Sequence, residues 1–168
     1  CEAAVLLVDA SSGIQVGTEK AWNSCKEFNI PTFFFISKID KENVDVDQVI
    51  ADVQAKFGTS VVPIAEPIQG AVKEALTEAV AESDEELLEK YFNGEAFTDA
   101  EFQRGLMKGI ASRSICPLVT GCSLEGKGIK ELMDILLKYA PAPSSVEGYK
   151  GLDAKGAETV RACDPAGP

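Results

Sequence analysis

Residues Gly121 to Ile129 read GCSLEGKGI, one hydroxyl short of the phosphate-cradling pattern G-x-x-x-x-G-K-[ST]. In that pattern backbone N–H groups surround the phosphate oxygens, the lysine reaches the outer phosphates and the closing Ser or Thr hydroxyl holds magnesium. Gly128 stands where the hydroxyl belongs, and no acidic partner on a second strand stands out. The stretch reads more simply as a strand-to-helix turn in which Gly126 and Gly128 supply backbone freedom. A second set of polar residues is Ser37-Lys38-Ile39-Asp40. A fixed carboxylate there can accept two hydrogen bonds from the adjacent N–H donors on one edge of guanine, while a lysine stem packs along the ring plane. Adenine lacks that donor pair. Taken alone, the same four residues also read as a polar turn with Asp40 opening the next helix.

Both stretches follow apolar runs that read as strands. Ala3 to Ala10 is a buried strand closed by Asp9 and Ser11-Ser12-Gly13. Helix Gln15 to Phe28 follows, with Ala21, Trp22 and Cys25 on one face. Thr32 to Ile36 is a second strand of β-favouring residues. Val46, Val49, Ile50, Val53 and Phe57 recur at helical spacing up to Gly58. Ser60 to Ile64 is a short strand whose Pro63 suits a sheet edge. An acidic helical stretch comes next: Ala71 to Ala81 carrying Val72, Leu76 and Val80, then two helices opened by capping boxes at Ser83–Glu86 and Thr98–Glu101. The first of these carries Leu87, Leu88, Tyr91 and Phe92, the second Phe102, Leu106 and Ile110. Ile115 to Val119 returns to strand, and a last helix presents Ile129, Leu132, Met133 and Leu136 before Pro141 and Pro143 stop it. After Pro143 the chain reads as linker. Strands alternating with helices predict an α/β fold, a mostly parallel sheet with flanking helices plus a small helical insert. In such sheets ligands gather beyond the carboxyl ends of the strands, where both polar stretches fall.

Composition narrows the chemistry. The chain has 168 residues and a net charge of −11, which argues against general affinity for nucleic-acid backbones. No apolar run approaches the roughly 20 residues of a membrane span. Histidine is absent, so no imidazole serves here as base, shuttle or metal ligand. Five cysteines (Cys1, Cys25, Cys116, Cys122, Cys163) without a C-x-x-C fit a reducing cytoplasm rather than a disulfide framework or a zinc site. The opening on Cys1 and the turn-rich close both read as cut ends.

The ordered set AAVLLVDASSGIQVGTEKAW, IPTFFFISKIDKENVDVDQVIADVQAKFG, VVPIAEPI, SDEELLEKYFNGEAFTDAEF and CPLVTGCSLEGKGIKELMDILLKYAPAP resembles the G domain of bacterial elongation factor G. It also resembles the elongation-factor-G-like proteins and the tetracycline-type ribosomal protection proteins. The resemblance implies a partial P-loop-type G domain: the first part of its C-terminal half over residues 1–66, a helical insert over 67–112, the last strand and helix over 113–143, and a linker toward a second domain over 144–168. ETVRACDPAGP is similar to the lead-in to that domain. At Ile68-Gln69-Gly70-Ala71-Val72 the family carries a longer, strand-containing insert that is nearly gone here.

By the same resemblance Ser37-Lys38-Ile39-Asp40 stands at the family's Asn-Lys-x-Asp motif, with Asp40 on the guanine N1 and N2 edge and Lys38 along the base. Ser37 departs from Asn, which implies weaker nucleotide affinity. Cys122-Ser123-Leu124 stands at the Ser-Ala-Leu motif, whose backbone amide meets guanine O6. The implied ligand is GTP or GDP, with magnesium held only in the intact parent. The family's P-loop, first switch and Asp-x-x-Gly-His segment belong upstream of Ala3, so no catalytic residue and no metal ligand is assigned, and GTP hydrolysis by this chain alone is not expected. The implied partner is the ribosome, including a stalk protein facing the acidic helices, which otherwise read as a solvated charged surface. A sheet edge left open by missing first strands invites self-association. The alternatives are a fragment of a ribosomal protection protein, a nucleotide-free ribosome-binding module, and a P-loop phosphotransferase centred on Lys127.

Overall fold

A computed structural model describes residues 2–64, 68, 70–142, 148–154, 156–161 and 163. Cys1, the AEP of the VVPIAEPI stretch, Gln69, Pro143 and most of the final CDPAGP run lie outside them, as does the side chain of Val72. The elements run β1 (Ala4–Asp9), α1 (Val16–Glu27), β2 (Thr32–Ser37), α2 (Val46–Phe57), β3 (Val61–Pro63), α3 (Gly70–Glu82), α4 (Glu85–Phe92), α5 (Asp99–Ala111), β4 (Cys116–Thr120), α6 (Ile129–Tyr139), β5 (Tyr149–Leu152) and β6 (Glu158–Arg161). The first four strands form one parallel sheet in the order β1-β2-β4-β3. The α/β fold class expected from the alternation is the one found.

Alternation along each strand separates two cores. Even-numbered side chains of β1 and β2 (Leu6, Val8, Phe34, Ile36) join Cys116 and Leu118 of β4 against Cys25 of α1 and Val53 and Phe57 of α2. Trp22, Phe34 and Phe57 form a ring cluster with centroids 5.3–5.5 Å apart. On the opposite face Phe33, Phe35 and Val119 pack with the helices from α3 to α6 through Leu76, Leu87, Leu106, Ile110, Ile135 and Tyr139. Burying side chains of this size stabilises the fold by roughly 1.5–3 kcal/mol each, which is what holds the parallel strands between two helical layers.

Four local expectations are corrected. The strand at the start is buried on one face only: Leu6 and Val8 are enclosed, whereas Val5 and Leu7 point to the face of α3–α6 and are exposed, because no described helix reaches that far across the sheet. Asp84, not Ser83, caps α4, accepting from the Glu86 N–H at 3.1 Å. The Ser83 hydroxyl instead donates to the carbonyls of Val80 and Gly105 at 2.7 and 2.9 Å, tying α3 to α5. Leu87 is the residue of α4 that is enclosed; Tyr91 and Phe92 stand out in solvent. On α6 the fully buried positions are Ile135 and Tyr139, with Ile129, Leu132 and Leu136 half-buried beside them, while Met133 is 52% exposed. By contrast the capping box of α5 is complete. Thr98 Oγ1 accepts from the Glu101 N–H, and Glu101 Oε2 accepts from the Thr98 N–H.

Pro63 does lie on an edge strand. The stretch read as linker holds an antiparallel pair, β5 with β6, in which Asp153 turns the chain by accepting the Ala157 N–H at 2.9 Å.

Candidate functional site

The carboxyl ends of β1, β2 and β4 lie side by side, because β2 pairs with β1 and β4 in parallel register. Asp9 is directly opposite Ser37, and Ile36 opposite Thr120. The loops that follow, Ser37–Asp40 and Gly121–Leu124, therefore meet at one end of the sheet. They are joined by backbone: the Gly121 N–H donates to the Ile36 carbonyl at 2.8 Å, and the Ile39 N–H to the Gly121 carbonyl at 3.5 Å.

Each residue selected from the sequence has a definite place there. The Ser37 hydroxyl donates to the Val8 carbonyl at 3.2 Å, bracing β2 against β1. Lys38 adopts a left-handed backbone, φ 61°, a region uncommon for a residue with a Cβ. Its ammonium meets the Asp9 carboxylate at 2.5 Å. Asp40 is exposed at the loop crest, and its carboxyl is held below the usual carboxylate range first by a hydrogen bond from the Cys122 thiol, with Lys41 and Lys127 adding favourable charge. Cys122 is enclosed, Ser123 is exposed, and Leu124 is 87% exposed. The structure thus gathers all six at one end of the sheet.

The GCSLEGKGI loop closes on itself. The Cys122 N–H donates to the Lys127 carbonyl at 3.0 Å, and a Cβ added at Gly121 would collide with that same carbonyl. Gly128 opens α6 at φ 73°, where a Cβ would strike the Thr120 carbonyl. The Cys122 N–H and the space beside the Cα atoms of Gly121 and Gly128 are thus taken up by backbone carbonyls of the same segment. Lys127 turns outward to Glu125 at 2.9 Å, and that carboxylate is the main reason its ammonium is held above its ordinary range.

Asp9 is not among the residues that the sequence singles out. Its Oδ1 accepts from the Ser11 N–H at 2.9 Å and the Ser11 hydroxyl at 2.6 Å, leaving Oδ2 for Lys38. These contacts, Lys38 foremost, bring its carboxyl down to about 2. The only trace in the sequence is an acidic residue ending an apolar strand. Among the described residues no cluster of three or more Cys, Asp or Glu side chains could hold a metal ion, and no helix is long and apolar enough to cross a membrane.

The chain matches the family model described as the elongation factor Tu GTP binding domain over residues 1–142. Its fold is similar to a crystal structure of a protein from Thermus thermophilus, with a TM-score of 0.76 and 22% identity over 86% of this chain. The similarity spans 27% of that protein's length.

Proposed function

Since the chain belongs to the elongation factor Tu GTP-binding domain family, we propose that its paired loops form the base-recognition half of the G domain of a larger elongation-factor-G-like translational GTPase. Guanine nucleotide binding is the property of the family; the finer roles are our reading. Asp40 accepts from guanine N1–H and N2–H, and Lys38 lies along the ring. With the Cys122 amide committed to Lys127, an amide at Ser123 or Leu124 meets guanine O6. The observation that carries this is the backbone junction of the two loops, which brings exposed Asp40 to the same sheet end as Cys122-Ser123-Leu124.

The phosphates, magnesium and attacking water belong to parts of the parent outside residues 37–40 and 121–124, so chemistry is not assigned to this chain. Phosphoryl transfer depends on positioning and charge stabilisation by such parts. In the parent the bound nucleotide would drive movement of tRNA and mRNA on the ribosome in the cytoplasm. The helices α3–α5 form its insert, facing a stalk protein.

The test is base preference. In a chain extended through the parent's upstream residues, Asp40→Asn replaces an acceptor-only group by an amide that donates as well, and should shift preference from GDP toward xanthosine diphosphate by about tenfold or more. An unaltered preference for GDP removes Asp40 from the base. Lys127→Ala should leave nucleotide affinity within about twofold, since Lys127 pairs with Glu125, as exposed pairs contribute little; loss of binding in that variant would instead favour the phosphate-cradle reading.

A further inference from the structure

Lys38 combines two features that its neighbours lack. Its backbone is held in the left-handed region, a conformation that carries strain for a side-chain-bearing residue and persists where the surroundings enforce it. Its ammonium is not free but reaches from the end of β2 to the end of β1, where Asp9 accepts it at 2.5 Å. Asp9 is itself immobilised. Ser11 donates to it twice, and the Asp9 carbonyl accepts from the Ser12 and Gly13 N–H groups at 3.1 and 2.8 Å. The two anchors fix both ends of the lysine, so its methylene stem spans the gap between the strand ends as a bar. That bar lies at the same sheet end as Asp40.

We propose that Asp9 is a positioning residue of the base site, which anchors Lys38 so that its stem forms a preset platform for the purine ring of a guanine nucleotide. The inference rests on the guanine reading of Asp40. A lysine tail left loose would have to be ordered when the nucleotide binds, at the expense of affinity; one already anchored does not. Asp9 touches Lys38 and not the base, so its influence falls on every purine ring alike, whereas Asp40 reads one edge.

The experiment measures dissociation constants for GDP, inosine diphosphate and xanthosine diphosphate in the extended chain, with Asp9→Asn, Lys38→Met, their double variant and Asp40→Asn. Asn keeps an oxygen for the Ser11 turn, and Met keeps an apolar stem without the ammonium. Asp9→Asn should weaken all three nucleotides by a common factor of about three to five, the upper range for an exposed ion pair. In the Lys38→Met background the same change should have no effect, because the partner is gone. An equal loss in both backgrounds, no loss in either, or a loss confined to one nucleotide would each overturn the role given to Asp9. If Asp40→Asn fails to alter base preference, the guanine reading fails first, and the Asp9 series then reports only on the loop.

Discussion

Glu101 shows how one side chain can serve two elements. It closes the capping box of α5 through Thr98 and also pairs with Lys90 of α4. Lys90, followed by the Thr98 N–H and hydroxyl, draws its carboxyl from 4.5 down to about 2. A carboxyl whose folded value is depressed adds stability above its unfolded value, and that stability disappears as pH falls through the folded value. The melting temperature gap between the wild type and Glu101→Gln should therefore be constant above about pH 5 and close progressively from about pH 4.5 to pH 2. A gap independent of pH across that range would mean that ionisation of Glu101 contributes nothing. At this scale the sequence is readable where a motif is local and unreadable where it is not. The Thr98–Glu101 box needs only residues three apart. Ser83 carries the same signature, yet its hydroxyl is drawn to the Gly105 carbonyl, 22 positions away. Asp9 escapes notice for the same reason, since its partner Lys38 is 29 positions away.

Elements are legible by period, but not always by face. The spacing of Phe102, Leu106 and Ile110 places α5 correctly, and all three are buried. The same reasoning puts Met133 on the inner face of α6, where Ile135 and Tyr139 in fact lead; an apolar residue near the boundary of a stripe cannot be assigned from sequence without knowing the neighbour. Nor does the pattern reveal β5 and β6, whose exposed residues carry little apolar alternation. What sets the close approach of α5 is a pair of glycines one turn apart. A Cβ at Gly105 would come within 2.6 Å of both Leu87 Cδ1 and Val80 Cγ1, and one at Gly109 within 2.6 Å of Ile115 Cδ1. In an isolated helix Gly→Ala gains about 1 kcal/mol. Here the overpacking cost of about 1–3 kcal/mol outweighs that gain, so Gly105→Ala should instead destabilise by up to about 2 kcal/mol, as chemical denaturation would measure. Greater stability would mean that α4 and α5 move apart freely.

Across the whole molecule the two edges of the sheet are treated differently. At β3 the edge is short, carries Pro63, and has the Val61 carbonyl capped by the Gln54 side chain at 2.9 Å, devices that discourage further pairing. The β1 edge is longer, carries no proline in Ala4–Asp9 and adds exposed Val5 and Leu7. The chain by itself should therefore self-associate in a concentration-dependent way, and Leu7→Lys should reduce it, as sedimentation velocity would show. Wild type that sediments as a monomer at all concentrations would rule this out. The strand order has a consequence in time as well as in space. β4 sits between β2 and β3 in the sheet but follows both in the chain, separated from them by α3, α4 and α5. During synthesis β3 has no strand to pair with until Cys116–Thr120 has emerged. A nascent chain arrested before that point holds the β1–β2 pair and the five helices α1–α5 without β4, a stage at which chaperones and proteases would find it open.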